Sequence, residues 1–204
     1  MNRYDIIHAN WFNHVDDDTL IRKKVMPFKK WFLANRATDL EIQQKFEGDI
    51  VRAAAGDYQS WEKTPLGSLS LILLLDQFPR NVYRHTPKMF AFDPQALDVA
   101  SRCVQTGMDK DLNLIERIFM YMPFMHSERL EDQRKSVEYF TTLVPACQER
   151  NPINISYYES TLLYAQRHRE IIERFGRFPH RNEWLNRTST SKEKDFLIEK
   201  GHSF

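Results

Sequence analysis

Cysteine, glycine and net charge are all scarce in this 204-residue chain, and each shortage removes a class of protein. Its two cysteines, Cys103 and Cys147, have no metal-ligand spacing and fall in segments that read as a helix and a helix end. Neither a disulfide framework nor a metal site is therefore expected, and a reducing cytoplasm is the compartment that fits. With 29 basic and 28 acidic residues the net charge is +1, which argues against a dedicated nucleic-acid binder and makes any charge-based recognition local. The greasiest run, Leu69 to Leu75, is far shorter than the roughly 20 residues of a spanning helix. The opening Met-Asn-Arg-Tyr-Asp-Ile-Ile-His lacks the apolar core of a signal peptide. The expectation is a soluble, unanchored protein with no membrane among its partners. No glycine-rich phosphate loop, serine elbow or reactive-looking cysteine is present, so phosphate-loop and nucleophilic chemistry find no motif.

Alternating strand patterns are nearly absent as well, and helix punctuation takes their place. Thr64-Pro65, Thr86-Pro87 and Asp93-Pro94 each set an N-cap oxygen before a proline suited to the first helical position. Capping boxes at Thr38 with Glu41 and at Thr190 with Glu193 predict two more helix starts. Ile42, Phe46, Ile50, Ala53 and Ala54 recur at helical spacing ahead of Gly56, and Leu112, Ile115, Phe119 and Met122 do so ahead of Pro123. Ser127 can cap a helix striped by Leu130, Val137, Phe140 and Val144, and Tyr157 to Phe175 reads as a long helix closed by Gly176. Leu66 to Leu75 is apolar almost all the way round, which predicts a central helix covered on every side. Gln148 to Ser156, with Pro152 and two asparagines, reads as the least structured connection. Roughly eight or nine helices with short connections predict an all-α fold of paired helices, a single domain over residues 1–204.

The unusual polar residues gather at the breaks between these helices. Asp76 closes the apolar segment, where the helix dipole disfavours a carboxylate, so it needs a cation such as Arg80 or Arg84. It either pins the turn Gln77-Phe78-Pro79-Arg80-Asn81 or takes part in catalysis. Glu128 and Asp132 are four apart and share a helix face, as a carboxylate pair or as a salt-bridged helix start; with His126 they fall short of a metal motif. His168 falls on the inward stripe of its helix, either as a core imidazole bonded to a carboxylate or carbonyl, or as a general base. Between Tyr164 and Arg187 six arginines face three glutamates. Arg169, Arg174, Arg177 and Arg181 either pair with Asp76, Glu128 and Asp132 or grip a phosphate or carboxylate group.

Taken together, Trp11-Phe12, Trp31-Phe32, the run Leu74-Leu75-Asp76-Gln77-Phe78-Pro79-Arg80-Asn81, the run Pro123-Phe124-Met125-His126-Ser127-Glu128 and the run from His168 to Asn182 resemble the bacterial domain-of-unknown-function family 924. The resemblance spans nearly the whole chain. It implies an all-helical fold grouped with tetratricopeptide-like superhelices, and no established activity, substrate or cofactor. Its signature positions map onto Asp76, Gln77, Arg80, Asn81, His126, Ser127, Glu128, His168, Arg169, Arg174, Arg177, His180, Arg181 and Asn182. The match departs at Asn13, at Arg84-His85-Thr86 and at Leu185-Asn186-Arg187, where the family pattern has glycine.

The functional expectation is a cytoplasmic binding protein in which Asp76, Arg80, His126, Glu128, His168, Arg177 and Arg181 converge into one polar cleft. Asn81, Arg169, Arg174, His180 and Asn182 belong to the same ligand-binding set. The ligand class is a small anionic molecule or an acidic protein segment, with no cofactor or metal. A hydrolase or transferase using His168 or His126 as general base, oriented by Glu128 or Asp76, is the enzymatic alternative. A helical scaffold for another protein is the third, favoured if Trp11, Trp31 or Trp184 is exposed. Oligomeric state leaves no signal in the sequence.

Overall fold

The least polar stretch of the chain lies at the centre of the molecule. In the computed structural model, which describes residues 1–23 and 25–199, the helices in chain order are α1 (Arg3–Phe12), α2 (Phe28–Phe32), α3 (Arg36–Ala55), α4 (Pro65–Ile72), α5 (Phe78–Val82), α6 (Asp93–Gln105), α7 (Leu114–His126), α8 (Leu130–Arg150), α9 (Ile155–Phe175) and α10 (Ser191–Ile198). No strand occurs among the described residues. Every residue from Gly67 to Pro79 is buried, so α4 and the turn that follows it have no solvated face, as an all-round apolar helix requires. Helices α1, α6 and α7 cover α4, and α7, α8 and α9 pack in succession beside it.

An aromatic cluster ties the N-terminal helices to this centre. Trp11, Phe12 and Trp31 meet Phe119 of α7 at ring-centroid distances of 5.9, 5.3 and 5.2 Å, and Trp11 also meets Phe78 at 5.4 Å. These separations suit edge-to-face packing, and each ring buried here contributes about 1.5–3 kcal/mol by leaving water. Trp31 donates its indole N–H to the carbonyl of Trp11 at 3.0 Å, so burial leaves that donor satisfied. Trp11 and Trp31 are core residues and Trp184 is half-buried. A scaffold that recognises partners through exposed tryptophan loses its first two candidates.

Several boundaries differ from the sequence expectation, each for a local reason. The apolar helix does not stop at Asp76. A π turn over Leu73–Gln77 carries it into α5, and this widened turn lies where Pro79 has no N–H to give to the regular helical ladder. Pro123 lies inside α7, which runs on to His126. Asn35 caps α3 instead of Thr38, and Thr86-Pro87 opens only a 3₁₀ turn. Helix α8 starts at Leu130, so Glu128 precedes the helix and shares no face with Asp132. The Gln148–Ser156 connection is tight, because α8 extends to Arg150 and buried Asn154 accepts from the Ile21 N–H at 2.8 Å. Thr64, the Thr190–Glu193 box and the left-handed stops at Gly56 and Gly176 stand where the punctuation put them.

Gly67 allows the first turn of α4 to press against the preceding 3₁₀ segment. A Cβ there would sit 2.2 Å from the carbonyl oxygen of Trp61 and 2.7 Å from the Thr64 cap oxygen. Alanine within a helix normally stabilises relative to glycine, but here neither neighbour is the free end of a flexible side chain. Gly67→Ala is expected to lower stability by about 1–3 kcal/mol, read as a lower denaturant midpoint at unchanged slope.

Candidate functional site

A buried carboxylate organises the polar centre. The π turn points Asp76 inward at 0% exposure. Arg80, one turn later, approaches it to 3.1 Å, the amide of Gln77 donates to it, and His126 at the end of α7 places Nδ1 2.6 Å from its Oδ1. Burial alone would raise the Asp76 carboxyl. The Arg80 charge and the His126 and Gln77 donors together outweigh it and hold the group below the usual carboxylate range. An ionised carboxylate only accepts, so Nδ1 of His126 carries the proton and Nε2 keeps its lone pair. Burial and the Arg80 charge push the His126 pKa down against the pull of Asp76, leaving a neutral imidazole at neutral pH. No described residue bonds Nε2, and the side chain is 16% exposed.

The same arginine ties in a second carboxylate. Arg80 grips Asp93 with two bonds of 2.9 Å, a fork-to-carboxylate match, and Arg181 reaches Asp93 at 3.3 Å from the 3₁₀ turn Pro179–Arg181. Arg181 is nearly buried between the rings of Phe90 and Phe178, each 4.6 Å from its guanidinium carbon, and its Nε has no hydrogen-bond partner. Burial is the main reason its pKa falls to about 10, with Asp93 opposing and Arg80 adding to the drop. Asp93 was legible in the sequence only as an N-cap. Its helix starts at Asp93 itself, with Phe92 at the cap position, which frees the carboxylate for both arginines.

His168 and His180 complete the cluster. His168 donates Nδ1–H to the Tyr164 carbonyl at 2.8 Å and packs edge-on to Phe178 at 5.4 Å. Burial pushes its pKa down to about 3, helped by the charges of His126, His180 and Arg181. His180 falls to about 4, from burial first and Arg181 second. Asp76, Arg80, His126, His168, His180 and Arg181 thus form one electrostatic neighbourhood.

The remaining expected residues fall elsewhere, except Glu128, whose charge reaches His180 and Arg181. Glu128 binds Arg187 with two bonds of 2.7 and 2.9 Å and accepts from the Phe178 N–H at 2.8 Å, so it orients no histidine. Asp132 takes the Ser127 hydroxyl at 2.7 Å. Arg177 pairs with Glu193 at 2.6 Å, Arg169 with Glu173 at 3.4 Å, and Asn81 with Asp39 at 2.8 Å. Asn182 donates to Ser189 at 3.0 Å, while its buried Oδ1 has no partner. The expected pairing of the C-terminal arginines with Asp76, Glu128 and Asp132 is thereby corrected: only Arg80 meets Asp76, and Arg187, which was outside the candidate set, takes Glu128. Arg174 meets rings, lying 4.7 Å from Phe175 and 5.5 Å from Phe196. Arg174 and Arg177, with Phe175, Thr190, Lys192 and Glu193, line an open cleft of about 700 Å³. No group of three His, Cys, Asp or Glu side chains among the described residues is arranged to hold a metal ion.

A model of bacterial proteins of unknown function, DUF924, matches residues 7–201. A solved structure of a protein of unknown function from Agrobacterium tumefaciens is similar at 33% identity and a TM-score of 0.76, with 96% of each chain covered. No curated protein matches the chain.

The depressed imidazoles make a pH prediction. In the unfolded chain histidine takes up a proton near pH 6.5, while folded His168 and His180 resist until about 3 and about 4. Between those limits the unfolded state binds more protons. The stability contributed by the neutral rings is complete above the unfolded value and is lost as pH falls through this window. Ring-proton resonances of His168 and His180 are expected to hold still from pH 8 to pH 5, while the denaturant midpoint drops. A titration of either ring near its unfolded value would contradict the burial argument.

Proposed function

Because the chain belongs to the bacterial family of unknown function DUF924, whose description names no reaction, we propose from the site itself that it carries out proton transfer on a small substrate, as a hydrolase or transferase. The observation that carries this reading is the contact of 2.6 Å between Asp76 and His126 Nδ1. The fixed carboxylate holds the tautomer, so His126 Nε2 is the general base, and its lowered pKa keeps it unprotonated at neutral pH. In the reaction Nε2 takes the proton of a water or substrate hydroxyl, the oxygen attacks an electrophilic carbonyl or phosphoryl centre, and the proton passes on to the leaving group. Asp76 stays ionised and stabilises the transient imidazolium. Arg181 supplies positive charge beside the oxygen on which negative charge develops. His168 serves as a neutral packing partner, since its low pKa makes it a poor base at neutral pH.

A second reading keeps the anion-binding expectation but moves it. Arg174 and Lys192 line the open cleft with no carboxylate in ion-pair contact among the described residues, which favours a small anion or an acidic protein segment there. A cytoplasmic location suits either reading. Of the membrane, it is established only that no helix among the described residues is long and apolar enough to cross one.

A panel of carboxylic esters, phosphomonoesters and phosphodiesters tests the first reading. Turnover is expected for at least one class, with a rate that rises with pH as His126 loses its proton. His126→Gln and Asp76→Asn should each lower it by about 10²–10⁴-fold, while His168→Phe leaves the shape of the pH profile intact. Turnover that survives His126→Gln, or no turnover at all, removes the proposal. A phosphate-induced rise in melting temperature that disappears in Arg174→Ala would establish the second.

A further inference from the structure

The stretch between Asp18 and Asp39 has a charge pattern unlike the rest of the chain. It holds six cations, Arg22, Lys23, Lys24, Lys29, Lys30 and Arg36, and no acid. With +1 for the whole chain and +6 for this stretch, all other residues together carry −5. The molecule is therefore polarised, with its positive charge concentrated on one excursion from the helical body.

That excursion is pinned at its base and turned outward at its tip. Asn154 fixes the entry by accepting from Ile21 N–H at 2.8 Å and donating to the Thr19 carbonyl at 2.8 Å. Trp31 anchors α2 in the aromatic core, and Lys30 turns inward to Asn10. The exit is held by the Asn35 cap of α3. Between these anchors Val25, Met26, Phe32 and Leu33 are 52%, 61%, 38% and 41% exposed. Arg22, Lys23, Lys29 and Arg36 are exposed alongside them and take part in no ion pair among the described residues. The flanking acids are occupied elsewhere, Asp18 by Asn151 at 2.7 Å and Asp39 by Arg84 and Asn81.

We propose that this face, from Arg22 to Arg36, docks on an anionic bilayer surface, with Val25, Met26 and Leu33 entering the interface beside the anchored ring of Phe32 and the surrounding cations contacting lipid phosphates. Both halves of an interfacial site are present: apolar side chains held at the tip of an anchored excursion, and unpaired positive charge around them. Val25, Met26 and Leu33 are aliphatic and the Phe32 ring already lies against Phe28, Trp31 and Phe119, so the face offers no free stacking platform for bases and favours lipid over single-stranded RNA. A protein partner would leave four exposed cations to be matched one by one, whereas a lipid headgroup layer presents negative charge at every point. This mode needs no spanning helix, because the protein lies at the surface.

Co-sedimentation of the full chain with vesicles tests it. Wild type is expected to pellet with phosphatidylcholine vesicles containing about one-third phosphatidylglycerol and to stay in solution with pure phosphatidylcholine, with binding that weakens as salt screens the charges. Lys23→Gln with Lys29→Gln should lose about 30-fold in affinity. Met26→Ser with Leu33→Ser should also release the protein while its melting temperature stays at the wild-type value. Wild type that remains in the supernatant with anionic vesicles at low salt overturns the proposal. So does binding unaffected by Met26→Ser with Leu33→Ser, which would make the face a charge attractor only. Preferential capture by an RNA homopolymer, or concentration-dependent self-association through this face in place of vesicle binding, overturns it as well.

Discussion

Placing the Asp76 carboxylate where no water reaches it is the constraint on which the polar half of the molecule depends. An isolated carboxylate in an apolar interior is costly by several kcal/mol or more, and α4 delivers this one to the centre of the core. The charge persists because Arg80, His126 and Gln77 close on it from three directions. Arg80 is then itself buried and takes Asp93, and Asp93 takes Arg181. A chain of compensations runs outward from one buried group and determines where α6, the end of α7 and the 3₁₀ turn Pro179–Arg181 can stand.

The arginine density near the C-terminus has a largely structural explanation. Arg177 and Arg187 each hold a loop to the helical body through a two-pronged contact with a glutamate, and Arg187 also holds the Phe178 carbonyl. Exposed ion pairs add little to stability, but these glutamates also receive backbone N–H groups at Phe178 and Thr190, so the pairs fix loop conformation. Among what this pairing leaves open are the free edge of His126, the unfilled Nε of Arg181 and the unmatched charges of Arg174 and Lys192.

Much of the fold was legible because helix starts and stops are short-range chemistry. Thr64, Gly56, Gly176 and the Thr190–Glu193 box act through hydrogen bonds within a few residues, and the sequence displays those residues side by side. The departures came where tertiary packing overrode the local signal. Pro123 reads as a stop, yet α7 continues because both flanks of the proline are buried against its neighbours. At the site, the need of Asp76 for Arg80 was legible from helix polarity. The roles of Asp93 and Arg187 were not, since each depends on a partner far along the chain, and no spacing rule encodes which of six arginines meets which acid. The π turn that aims Asp76 has no composition signature in an all-apolar run.

Asp93 has one partner thirteen residues upstream and another eighty-eight residues downstream. This separation sets a timetable for synthesis. The aromatic centre and the contact between Asp76 and Arg80 draw on nothing later than Phe119 of α7, but the second guanidinium reaches Asp93 only after α9 and the turn beyond it have been made. A chain that ends before Arg181 therefore has every ring of this aromatic centre and lacks the final latch.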